Sequence, residues 1–142
     1  MNVSSNASDL VSFQGLIEPV AGAATYVTSY FYAGDANAWQ ALISVGTVGT
    51  TTNAKIEQAS DSSGTGVKDL TGAAITEING DGESALIQFK PADLDTANDF
   101  THVRLSITTV GATNVTGGAL LAACVTRAPL AAGAKIDETV TV

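Results

Sequence analysis

A single cysteine, a single histidine, a single tryptophan and only six lysine or arginine residues limit the chemistry open to this chain of 142 residues. With Cys124 alone, no disulfide can close within the chain and no thiolate pair can hold a metal. Within "ALLAACVT" that cysteine reads as a small core hydrophobe. His102 would have to serve as the base of any Ser/His/acid set, yet it sits in a run that alternates like a strand. No nucleophile elbow of the GxSxG kind and no HExxH zinc motif occurs. Six cations against fourteen acids give a net charge of -8. That balance argues against a nucleic-acid partner, which needs clustered Lys and Arg. Long apolar runs are also missing, so no membrane-spanning helix is expected. The opening "MNVSSNASDL" has neither basic residues nor an apolar run, so no export signal is expected. The triplets beginning at Asn2, Asn6 and Asn114 then read as chance matches to the glycosylation pattern.

What is abundant is small and neutral. Charged residues make up 14% of the chain and aromatics 6%, while 45% is hydrophobic, much of it Ala and Val, with 14 glycines. Such a composition, divided into short runs by Gly, Asn and Asp, predicts an all-β chain: an antiparallel β-sandwich or jelly-roll-like fold with one or two short helical turns at most. The length suits one domain with a real core. Residues 1–10 read as a flexible arm, and residues 11–142 as a single β-sandwich domain. The tail "KIDETVTV" is expected to add an edge strand or to reach a neighbouring subunit.

Alternation places the strands. "TYVTSYFYAG" puts Val27 and Phe31 on one face and Tyr26, Tyr30 and Tyr32 on the other. In "DANAWQALISVG", Asp35 is a plausible cap for one helical turn before "ALISV" extends. Trp39 reads as a core or sheet-edge anchor. "TTNAKIEQAS" turns Ala54 and Ile56 inward and Lys55 and Glu57 outward; "ESALIQFKP" turns Ala85, Ile87 and Phe89 inward. Between "DLTGAAITEI" and "ESALIQFKP" lies "NGDG", which predicts a tight hairpin. Pro91 ends a strand at a corner with a helical turn. "THVRLSITTV" directs Val103, Leu105 and Ile107 inward and His102, Arg104, Ser106 and Thr108 outward. "GATNVTGG" is a turn leading into "ALLAACVT", a strand covered on both faces.

Two loops invite a ligand. "QASDSSGTGVKDLTG" has Gly64, Gly66 and Lys68, but Val67 breaks the Gly-Lys-Ser/Thr order and the flanking pattern is strand to strand. A connection between strands is therefore expected, not a phosphate site. "EINGDGE" and "DLDTAND" are acidic without the register of a calcium loop, so solvated turns are expected. Neither a metal, a cofactor nor a catalytic residue is assigned. The residues best suited to a contact surface are Tyr26, Tyr30, Tyr32, Trp39, Lys68 and His102, because tyrosine, tryptophan and exposed cations or imidazoles serve interfaces.

The succession "AKIEQASDSSGTGVKDLTGAAITEI", "SALIQFKPADLDTANDFTHVRLSIT" and "GGALLAACVTRAPL" resembles the head decoration, or cement, proteins of tailed bacteriophages. The likeness covers residues 54 to 130. It implies a non-enzymatic β-sandwich subunit on the outside of a virion, assembled in the host cytoplasm. Its implied partners are the major capsid protein and further copies of itself, with a trimer favoured, and it would stabilise contacts between capsid subunits. Two other roles fit the same residues: a carbohydrate-binding or adhesin module in which Trp39 and the tyrosines stack on sugars, and a tail or head-to-tail connector.

Overall fold

Alternating apolar residues at a two-residue period, separated by glycine-bearing turns, dictate strands with one buried face. In the computed structural model, which describes residues 11–123 and 138–142, such strands fill most of the chain. The expected arm, Cys124 and Lys135 to Asp137 of the tail lie outside the described residues. The strands are β1 (Val11–Ala21), β2 (Thr25–Val27), β3 (Phe31–Tyr32), β4 (Ala38–Thr47), β5 (Thr51–Ala59), β6 (Lys68–Ala74), β7 (Ser84–Phe89), β8 (His102–Val110), β9 (Val115–Ala123) and β10 (Glu138–Thr141). Single 3-10 turns at Ala33–Asp35, Pro91–Asp93 and Thr96–Asn98 are the helical pieces among the described residues.

One sheet runs β1-β9-β4-β7-β10 and the other β2-β8-β5-β6, with β3 continuing beside β8. Taking β2 and β3 as one interrupted strand, eight strands follow the jelly-roll order, in which successive strands, β5 and β6 apart, alternate between two facing sheets. β10 then adds a parallel edge beside β7, as expected for the end of the tail. The expected all-β sandwich is thus what forms.

The core lies between the sheets. Ile43 and Ile87 from the first sheet meet Ile56, Leu105 and Ile107 from the second, all fully buried. Each such side chain contributes about 1.5–3 kcal/mol relative to exposure. Gly118, read from sequence as part of a turn, lies inside β9 facing the opposite sheet. A Cβ there would come within 2.8 Å of Ile107 Cδ1 and 2.9 Å of the Leu42 carbonyl, so glycine sets how closely the sheets approach. Beside it Thr52, Asn114 and Thr116 form a buried polar knot. The Asn114 amide donates to Thr52 Oγ1 at 2.9 Å and to the Thr51 carbonyl at 3.1 Å, and its oxygen accepts from Thr116 Oγ1.

Several expectations change. "NGDG" is not a hairpin, because β6 and β7 belong to different sheets. After β6 the chain stays beside β5 through Ile75 and Ile78, then crosses the sandwich, with Asp81 Oδ1 accepting the Val48 amide at 2.7 Å. The turn near Asp35 precedes it: Ala33–Asp35 is the 3-10 turn, entered from Tyr32, so Asp35 closes the turn and does not cap it. Ser106 does face away from the core but is buried between its ladder partners Val27 and Lys55. β1, eleven residues long, had no clean alternation to announce it, since bulges interrupt its pairing with β9 at two places.

Candidate functional site

The tyrosine stripe is divided by a bulge. Tyr26 pairs with Ile107 and Val27 with Ser106, whereas Phe31 pairs with Val103 and Tyr32 with His102. From Val27 to Phe31 the chain advances four residues while β8 advances three, from Ser106 to Val103. One extra residue reverses which face each side chain takes. Tyr26 therefore packs against the core and Val27 points out, the reverse of the sequence reading, while Tyr30 and Tyr32 stand on the outer face.

That outer face gathers three of the six residues singled out from sequence, Tyr30, Tyr32 and His102; Lys68 pairs in the ladder with Gln58, on the core-facing side at the same end of the sheet. Tyr32 is 49% exposed, and its ring meets the His102 ring at a centroid distance of 5.6 Å. The Thr101 hydroxyl donates to the Ser60 carbonyl at 3.1 Å and lies 2.9 Å from His102 Nδ1. A hydroxyl has one proton to give, so Nδ1 carries the proton of the second bond and Nε2 is left as the acceptor of the neutral ring. Next along β8, the Arg104 guanidinium lies over the Tyr30 ring at 4.6 Å and its Nε donates to Glu57 Oε2 at 2.7 Å. Glu57, expected to be exposed, is covered by Arg104 and by Lys55, which reaches it at 3.3 Å. Lys55 also donates to Asp69 at 2.7 Å, and that bond holds its ammonium above the usual lysine range against the opposing effect of burial.

The Tyr30 hydroxyl is buried and finds no hydrogen-bond partner among the described residues. Burial lifts its phenol above the ordinary value, with Arg104 opposing and Glu57 adding. Lys68 pairs with Asp95 and lies 4.2 Å from the Phe100 ring centroid. Gln58, buried beneath, accepts the Asp95 amide at 2.9 Å and so ties the acidic corner to the sheet. Trp39, like Tyr26, turns inward. It is 2% exposed, stacks on Phe89 and donates its indole N–H to the Ala33 carbonyl at 2.9 Å, which leaves no ring face for an outside molecule.

The loop between β5 and β6 is a strand connection, as expected. Asp61 Oδ1 accepts the amides of Ser63 and Thr65, and its Oδ2 accepts the Thr65 hydroxyl at 2.6 Å. The amides that could cradle a phosphate already surround a carboxylate of the same loop, whose charge would repel a second anion. These bonds, the Thr65 hydroxyl foremost, hold Asp61 below the usual carboxylate range. Gly64 and Gly66 take the left-handed φ values of 87° and 68° that the loop requires. In the acidic corner, Asp95 is likewise held low, first by Lys68 and then by Asn98. No three His, Cys, Asp or Glu side chains converge as a metal set among the described residues.

No protein-family profile matches the chain, and no curated protein sequence is significantly similar to it. Several solved structures match it at low identity. The SPBc2 prophage-derived protein YomS is 12% identical over 85% of this chain and 100% of its own, with a TM-score of 0.44. The capsid chain of the cowpea mosaic virus top component, a naturally occurring empty particle, is 10% identical over 92% of this chain and 99% of its own, with a TM-score of 0.43. The xylohexaose-complexed N-terminal modules of Clostridium thermocellum endo-1,4-β-D-xylanase 10B are 14% identical over 86% of this chain and 28% of their own, with a TM-score of 0.45. Likenesses of this order assign neither family nor function.

Proposed function

We propose that this chain is a non-catalytic structural protein of a tailed-phage particle, a decoration subunit that binds the capsid exterior and stabilises contacts between major capsid protein subunits. The observation that carries the reading is the gathering of Tyr32, His102, Tyr30 and Arg104 on the outer face at one end of a single sheet. Tyr and Arg are enriched in the centres of protein interfaces. Here ion pairs and ring contacts fix them before any partner arrives, which reduces the ordering cost of binding. The sequence resemblance supports the same role: its residues from 54 to 130 include β8, which carries His102 and Arg104, while Tyr30 and Tyr32 lie outside it. The jelly-roll order is compatible with capsid proteins and with lectins alike, so it supports a binding scaffold and leaves the partner to the surface.

The experiment is particle binding by Tyr32→Ala and His102→Ala proteins. Both variants are expected to retain the fold and to lose occupancy on purified capsids by at least about tenfold. Unchanged occupancy would remove this surface from the interface. The exposed Tyr32 ring also favours a second reading, stacking on a sugar. Oligosaccharide binding that is lost in Tyr32→Ala, without any capsid binding, would establish that reading instead.

A further inference from the structure

The opposite sheet presents a different surface. Ladder register aligns Leu121, Gln40 and Gln88 in one row across its outer face, and Ala119, Leu42 and Leu86 in the next. Neither row holds a charge, although the chain as a whole carries -8. At the β1 edge of those rows stand Phe13, 75% exposed beside Leu121, and Leu16, 67% exposed beside Ala119. Exposed apolar residues that adjoin in this way, and are not scattered singly, mark contact surfaces.

A trough of about 350 Å³ lies on the same face, with Leu16, Pro19, Leu42, Ser44, Gly117 and Ala119 among its lining residues. Its shape follows from sequence. The bulge between Ile17 and Val20 brings Pro19 over β9, where a Cβ on Gly117 would come within 3.1 Å of the Pro19 nitrogen and the Ile17 carbonyl. Glycine at 117 therefore leaves bare backbone as the floor, and Ser44 adds little height beside it. An apolar knob and an apolar hollow thus sit side by side on one face, with exposed Glu18 in the bulge at the edge of the hollow. Their separation is four residues along β9, from Leu121 to Gly117, or about 13 Å.

We propose that two copies of this chain associate through this face, Phe13 of each seated in the trough of the other. A two-fold axis lying in the interface, across the strands and midway between knob and trough, makes both contacts at once. A second copy is the occupant the pattern favours, because knob and hollow on one face are complementary to themselves, and two molecules of net charge -8 repel each other least across the two rows that carry no charge. The inference does not depend on capsid binding, and its symmetry differs from the trimer implied by the sequence resemblance.

Sedimentation equilibrium of the full chain tests it with two exposed substitutions, Phe13→Asp and Ser44→Arg. The wild type is expected to be a dimer, and each variant alone is expected to dissociate at least about tenfold more readily with an unchanged circular dichroism spectrum. Mixing the two variants is expected to restore a one-to-one dimer, because the introduced carboxylate then faces the introduced guanidinium while the other knob and trough remain native. A monomeric wild type, an oligomer of any order that neither substitution weakens, or variants that do not recover on mixing would overturn the proposal.

Discussion

Thr28 and Leu105 exchange two hydrogen bonds, but one of them uses a side chain: the Thr28 amide donates to the Leu105 carbonyl at 3.0 Å, while the Leu105 amide donates to Thr28 Oγ1 at 3.1 Å. A hydroxyl thus stands where a strand carbonyl would accept, and the ladder tolerates one extra residue at that point. The bulge sends Tyr26 into the core and brings Tyr30 and Tyr32 to the outer face.

Thr28→Val should therefore do more than remove a methyl-sized polar group. It leaves the Leu105 amide buried without its acceptor, at a cost of about 1–3 kcal/mol. Urea unfolding measures the loss, and the tyrosine near-ultraviolet dichroism is expected to change as the bulge relaxes. An unaltered midpoint and spectrum would show that the hydroxyl does not hold the bulge.

Asn114 is fully buried, and its amide satisfies groups from Thr51, Thr52 and Thr116 at once. Asn114→Ala should cost about 2–3 kcal/mol by leaving those partners unpaired, again read from the unfolding midpoint. The same burial means that the triplet starting at Asn114 cannot accept a glycan in the folded chain. Modification of that site in folded protein would contradict the placement.

Tyr30 and Arg104 separate ring from hydroxyl. Tyr30→Phe keeps the ring under the guanidinium and removes a buried hydroxyl without a partner among the described residues, so stability should hold or rise by up to about 1 kcal/mol. Arg104→Ala loses both the ring contact and the Glu57 bond. Since this pair is partly shielded from solvent, a cost of about 1–2 kcal/mol is expected, between the exposed and fully buried cases. Thermal melts of the two variants should move in different directions.

Acid should loosen the loop and the corner together. Asp61 and Asp95 are both held below the usual carboxylate range in the folded chain. Their contribution is complete above the unfolded value, near pH 4, and is lost as pH falls through their lower folded values. Asp61→Asn and Asp95→Asn should each be less stable than wild type at neutral pH. The differences should shrink as the pH falls from the unfolded value through the lower folded ones. A gap that stays constant with pH would show that these carboxylates act through shape and not charge.

Alternation made β5, β7 and β8 legible, because each buries one face against the other sheet and leaves the other polar. β1 was not legible: its two bulges break the two-residue period, and Gly15, Glu18 and Pro19 mask its apolar residues. "NGDG" carried a correct turn signal but a wrong partner, since local turn chemistry does not say whether the next strand joins the same sheet. The surface formed by Tyr30, Tyr32 and His102 was legible as residue types. Tyr26 was misplaced with them because a one-residue bulge, held by Thr28, leaves no mark in the hydrophobic pattern. Trp39 turned inward because β4 alternates through it, setting it with Ala41 and Ile43.

The central proposal, that this is a capsid decoration subunit, is tested most directly by its copy number relative to the major shell protein in purified particles, measured by quantitative mass spectrometry. A high and fixed ratio, removed when the Tyr32 and His102 surface is altered, is the predicted result. Absence from the particles, or only a few copies in each, would contradict it.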